Sequence, residues 1–176
     1  MPATTGRANL SPRGNVMTTR AEKLASRIEQ GANALAEFAE RLSDAQWRTK
    51  LPGDGRTVGV VVHHVASVYP IELDLAKTVA SGKPIVGITY EGAIREMNAK
   101  HAMEHATAPR KETVELLRRN CAAAAAATRA FTDAELDRAA AVSLNADAPL
   151  TAQFVIEDHA VRHSYHHMAR IRAAVS

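Results

Sequence analysis

An all-α helical bundle is predicted by three features of the sequence. Apolar residues recur at alternating steps of three and four along several long stretches. Ser and Thr capping signals stand in front of those stretches, and Gly or Pro breaks lie between them. At 176 residues the chain suits one domain, or one domain and a tail. We expect a flexible tail over residues 1–17, where Pro2, Gly6, Pro12 and Gly14 interrupt a small, polar, aperiodic stretch. Met17, followed by Thr-Thr-Arg, is a second candidate start. The bundle is expected over 18–176.

From Thr18 or Thr19 onward, Leu24, Ile28, Gly31, Leu35, Phe38 and Leu42 form one stripe, with charged residues between them. This predicts an amphipathic helix of about six turns. Ser43-Asp-Ala-Gln46 has the form of a capping box opening a short turn around Trp47, and Pro52-Gly-Asp-Gly55 breaks the chain. A second long helix is expected from near Thr57 to Ser81-Gly82. Its Val58, Val60, Val61 and Val62 also suit a strand, but the stretch Ala66 to Ala80 is too long for one. Pro70 inside it should produce a kink, because its ring clashes with the carbonyl of Ala66. A shorter, mostly polar helix over Tyr90 to His105 should be exposed. Pro109 fits the first turn of a third long helix, whose inward stripe is Val114, Leu117, Cys121, Ala124, Thr128 and Phe131. Thr132-Asp-Ala-Glu135 is another capping box. A last helix is expected from about Pro149 to Ala174, with Glu157 and Asp158 towards its start and Arg170 and Arg172 near its end, as its dipole prefers.

Composition removes several functional classes. The single Cys121 forms no internal disulfide, so a disulfide scaffold is excluded. No uninterrupted apolar run approaches the roughly 20 residues of a membrane helix, and the N-terminus lacks a signal-peptide core. No membrane role and a cytoplasmic location are therefore expected. Net charge is +3, of which Arg7 and Arg13 in the first sixteen residues supply two. No basic block remains, so no nucleic-acid partner is expected.

The eight histidines fall in three groups: His63 and His64; His101 and His105; and His159, His163, His166 and His167. Imidazole is a common ligand for zinc, nickel, copper and iron. On a helix, His64 shares a face with Val61, Val68, Ile71 and Leu75, whereas His63 falls beside Val60, Ser67 and Pro70. His163 and His167 share a face with Ile156, Ala160, Ile171 and Ala174. His166 points towards Arg162 and Arg170, outward, and His159 is intermediate. His64, His163 and His167 are thus the candidate ligands of one ion. The competing account is a set of hydrogen-bonded core histidines, which is harder to satisfy because each buried ring needs partners for both nitrogens. His101 and His105, beside Lys100 and Glu104, are expected to be a solvated pair.

The first helix, Trp47, the run Thr57-Val-Gly-Val-Val-Val-His-His64-Val-Ala66 and the final His163-Ser-Tyr-His-His167-Met-Ala-Arg-Ile171 together resemble the DinB-like superfamily. That superfamily includes thiol-dependent maleylpyruvate isomerases and bacillithiol transferases. The resemblance covers roughly Arg20 to Ala174. It implies an up-down-down-up four-helix bundle, often a homodimer, with a divalent metal held by three histidines matching His64, His163 and His167. Arg170 stands where the family commonly has Gln, and His63, His159 and His166 are additional.

Three histidines leave coordination positions open, as catalytic sites do. Such a site lowers the pKa of bound water or binds a thiolate. The resemblance implies a divalent-metal-dependent enzyme, a thiol-dependent S-transferase, isomerase or hydrolase, and zinc and nickel fit the imidazole ligands equally well. Its substrate would be a small molecule, with a low-molecular-weight thiol as cosubstrate. The alternative is a non-catalytic metal-binding or stress-response bundle in which the ion braces helices or is absent. No general base is identifiable. Glu72, two turns beyond His64, is either an assistant near the metal or a surface or kink-associated carboxylate. Tyr165 lies off the ligand face, Arg170 suits a helix end, and Cys121 reads as a core thiol. A di-iron site is disfavoured, because neither His163 nor His167 has a Glu three residues before it.

Overall fold

Thr19 caps the first helix with its side chain on the Glu22 amide, and α1 runs over Arg20–Arg41 with the predicted stripe buried from Leu24 to Leu35. The computed structural model describes residues 19–176, so the tail and alternative start expected at 1–17 lie outside the described residues. Ser43 and Gln46 form the expected capping box at α2 (Asp44–Arg48), which carries the buried Trp47. Thr57 caps α3 (Val58–Ala80). A π-helical turn at Tyr90–Ile94 leads into α4 (Arg95–Glu104). The third long helix, α5 (Arg110–Arg129), has Pro109 one position earlier than predicted, at its N-cap. Thr132 and Glu135 box the start of α6 (Asp133–Asp137).

Two differences follow. Residues expected to open the last helix instead form a strand: β1 (Ala139–Val142) pairs antiparallel with β2 (Ala148–Thr151), Ala141 opposite Pro149. The turn between them passes through Ala146 and Asp147 at positive φ. The last helix therefore starts at Ala152, capped by Thr151, as α7 (Ala152–Val155). It passes through a π-helical segment, Ile156–Val161, and continues as α8 (Arg162–Val175).

The contacts between helix ends fix the topology. Trp47 Nε1 donates to the Ala108 carbonyl at 3.0 Å, and Gln46 Nε2 donates to that of Val175 at 3.3 Å. The end of α1 thus adjoins the start of α5 and the end of α8. At the other end, Arg20 pairs with Asp137 and Arg27 with Glu157. The long helices run up, down, down, up. The link from α3 to α5 must return along the bundle, and α4 lies in it.

The core is apolar and small-residue-rich, which lets helices approach closely. A Cβ on Gly59 would lie 2.5 Å from Trp47 Nε1, so glycine there admits the indole against α3. By length and composition α3 is apolar enough to cross a membrane, although its charged and histidine residues break any continuous run. Most of it is buried against the other helices, which accounts for its apolar character within a bundle.

Candidate metal centre

α3 and α8 bring their histidines together. His64, His163 and His167 each offer a ring nitrogen, and these atoms all lie within 4.8 Å of one another. Ring centroids are 5.0 Å apart for His64 and His163, 5.5 Å for His64 and His167, and 4.7 Å for the helical pair. His64 and His167 are buried and His163 is half-buried. The predicted face is present, with Ile156, Ala160 and Ile171 buried alongside. Tyr69 Oη and Ser164 Oγ, buried and 2.7 Å apart, tie α3 to α8 beside the cluster.

Glu72 belongs to this cluster and is no surface carboxylate. It is buried, and its Oε1 hydrogen-bonds His163 Nδ1. That bond occupies one nitrogen of the ring and orients the other. Two polar atoms at the centre have no hydrogen-bond partner among the described residues, Glu72 Oε2 and His167 Nδ1. Burial, reinforced by His163, pushes His64 down to about 3 and His167 down to about 2. Both rings therefore present lone pairs at neutral pH. Three imidazoles, an orienting carboxylate and an orphaned buried nitrogen fit a borderline divalent ion.

A cavity of about 230 Å³ opens over the cluster. Val68, Ile71 and Leu75 of α3 give it an apolar wall, and Met97 and the polar Asn98 of α4 line it from another side. Arg56 also lines it, with Nη1 buried and unpartnered, while Nε and Nη2 of the same guanidinium hold Asp54 at 2.6 and 2.9 Å. His159 and the exposed His166 reach the cavity but stand outside the group of converging nitrogens. Ile71, placed by the sequence on the inward face, is half-exposed here because that face opens onto the cavity.

Other expectations resolve plainly. Arg170 pairs with Asp54 Oδ2 at 3.0 Å, which holds the loop after α2 against α8. Tyr165 packs over Gly31 of α1, away from the cluster. Cys121 is a core thiol, which burial raises to about 11. His101 and His105 are not a solvated pair: both are half-buried against His63, with the His63 and His105 rings stacked at 3.9 Å.

Comparison with known proteins agrees with this architecture. YfiT from Bacillus subtilis, described as a probable metal-dependent hydrolase with an unusual four-helix bundle topology, superposes with a TM-score of 0.68 at 23% identity. The match covers 94% of this chain and 91% of that one. A mycothiol-dependent maleylpyruvate isomerase superposes with a TM-score of 0.66 at 14% identity, over 90% of this chain. This chain spans 62% of the isomerase's length. No curated protein matches by sequence. The sequence profile of the DinB superfamily matches residues 27–171, most of the described bundle, and the chain belongs to that superfamily.

Proposed function

We propose that the protein is a metal-dependent enzyme in which His64, His163 and His167 hold one divalent ion at the floor of the cavity. The observation that carries this is the convergence of three ring nitrogens within 4.8 Å beneath an open cavity, with Glu72 seated on His163. Zinc and nickel both suit an all-imidazole set. When bound, such an ion supplies Lewis acidity and an open position for water or a thiolate. The chain's own groups supply the rest. Glu72 fixes the His163 ring, the α3 and α4 side chains line the space above it, and Arg56 Nη1 offers a donor to an anionic group.

The favoured reaction class is thiol-dependent transfer or isomerisation of a small electrophile with a low-molecular-weight thiol as cosubstrate. The apolar wall beside a cationic donor, and the thiol dependence of one structural relative, support it. Hydrolysis, the reaction class named as probable for the other relative, would need the same open position for water. A homodimer belongs to the same proposal through the family resemblance, and light scattering checks it; the cytoplasmic location rests only on the sequence expectation.

His163→Ala should abolish binding at this centre while helical circular dichroism stays near wild type. Unchanged metal content at the centre in that variant would overturn the assignment. Chelation separates an enzyme from a structural brace. A catalytic ion predicts a modest fall in melting temperature and a thiol that perturbs the visible spectrum of a cobalt-loaded centre. A brace predicts a large fall and no thiol response.

A further inference from the structure

α3 carries two consecutive histidines, and successive residues on a helix point about 100° apart. Each ring therefore meets a different neighbour. His64 meets the i, i+4 pair His163 and His167 of α8. His63 meets another i, i+4 pair, His101 on α4 and His105 at its C-cap. The second triad repeats the first in make-up, two histidines one turn apart and a third from α3. Its ring nitrogens also lie within 4.8 Å of one another.

We propose that His63, His101 and His105 form a second cation site, selective for a divalent transition ion of the zinc, nickel and copper class. Three imidazoles without a carboxylate disfavour magnesium and calcium, which take oxygen ligands. His63 Nδ1 and His101 Nε2 are 2.9 Å apart, and Ser67 Oγ lies 3.2 Å from the same His63 nitrogen. His101 Nδ1 is buried with no partner among the described residues. Stacking His105 on His63 at 3.9 Å gathers a third ring that none of these hydrogen bonds requires. All three residues are half-buried, so an ion can enter from solvent.

The site has a consequence for the cavity. α4 supplies Met97 and Asn98 to its wall, and the His64 and His101 ring centroids are 5.6 Å apart. An ion joining α4 to α3 fixes that wall beside the first centre. The proposal does not depend on the first centre being occupied.

The test uses the full chain, untagged and metal-free, loaded with zinc and desalted, with bound zinc counted by elemental analysis. Wild type should retain two zinc ions per chain. His101→Ala/His105→Ala should retain one, and so should His163→Ala/His167→Ala. One zinc in wild type that His101→Ala/His105→Ala keeps and His163→Ala/His167→Ala loses would overturn the second site and leave the first standing. One zinc with the opposite pattern would support the second site and remove the first. Two zinc ions retained by the α4 double variant would also overturn the proposal. Should that variant lose helical circular dichroism, His105→Asn at the helix end replaces it. At least a tenfold loss of affinity at one of two sites is then expected, and no loss would overturn the proposal.

Discussion

Glu72 stands eight residues beyond His64, two turns along α3 and about 80° around it. The sequence therefore places it near the cluster, but only packing shows that its carboxylate seats on His163 of α8. Removing the charge while keeping the shape isolates its role. Glu72→Gln should weaken zinc binding at the His64, His163 and His167 centre by about 10- to 100-fold, with helicity retained. Competition against a chelating dye measures this, and an affinity equal to wild type would refute the orienting role. The three histidines of that centre were legible because each sits on a face otherwise filled with apolar residues. His101 and His105 were not. Their neighbours Lys100 and Glu104 describe only the outer face of α4, and nothing local reveals that its other face folds onto His63.

Pro70 shows how an element tolerates a local violation. It removes the amide that would bond the Ala66 carbonyl inside α3. Asn120 of α5 replaces the missing donor, its Nδ2 lying 2.8 Å from that carbonyl. Asn120→Ala would leave the carbonyl unpaired beneath α5, a loss of about 1–3 kcal/mol. Urea unfolding should show a lower midpoint with the slope unchanged, and an unmoved midpoint would refute the compensation. The capping residues Thr19, Ser43, Thr57 and Thr132 made most helix starts readable, because a cap is a local signal. The β-ribbon was unreadable for the opposite reason. Ala139–Val142 has helix-forming composition, and its extended state is set by pairing with β2 and by the Ile85 amide donating to the Ala141 carbonyl at 2.9 Å. The π-helical segment before α8 was equally hidden, since Ile156, Ala160, His163, His167 and Ile171 run through it at ordinary steps of three and four.

At the scale of the molecule, the up-down-down-up order gathers the end of α1, the starts of α3 and α5 and the end of α8 at one end. Asp54 lies in the loop that closes it. Its carboxylate is nearly buried and is shared by Arg56, which lines the cavity, and Arg170 of α8. Hydrogen bonds from Arg56, with its charge and that of Arg170, lower Asp54 to about 2 against an ordinary 3.8. A carboxyl depressed by folding stabilises the native state fully above its unfolded pKa, and that contribution disappears as pH falls through the folded value. The stability difference between wild type and Asp54→Asn should therefore be largest above pH 4 and shrink towards zero near pH 2. Allowing for solvent screening of a clamp at the molecule's edge, its size is on the order of 1 kcal/mol. Taking the difference removes the acid response of the histidines, which both proteins share. Thermal or urea unfolding across that pH range measures it. A difference that stayed constant from pH 5 to pH 2 would mean that Asp54 acts through packing, and that the charge pair does not hold this end of the bundle closed.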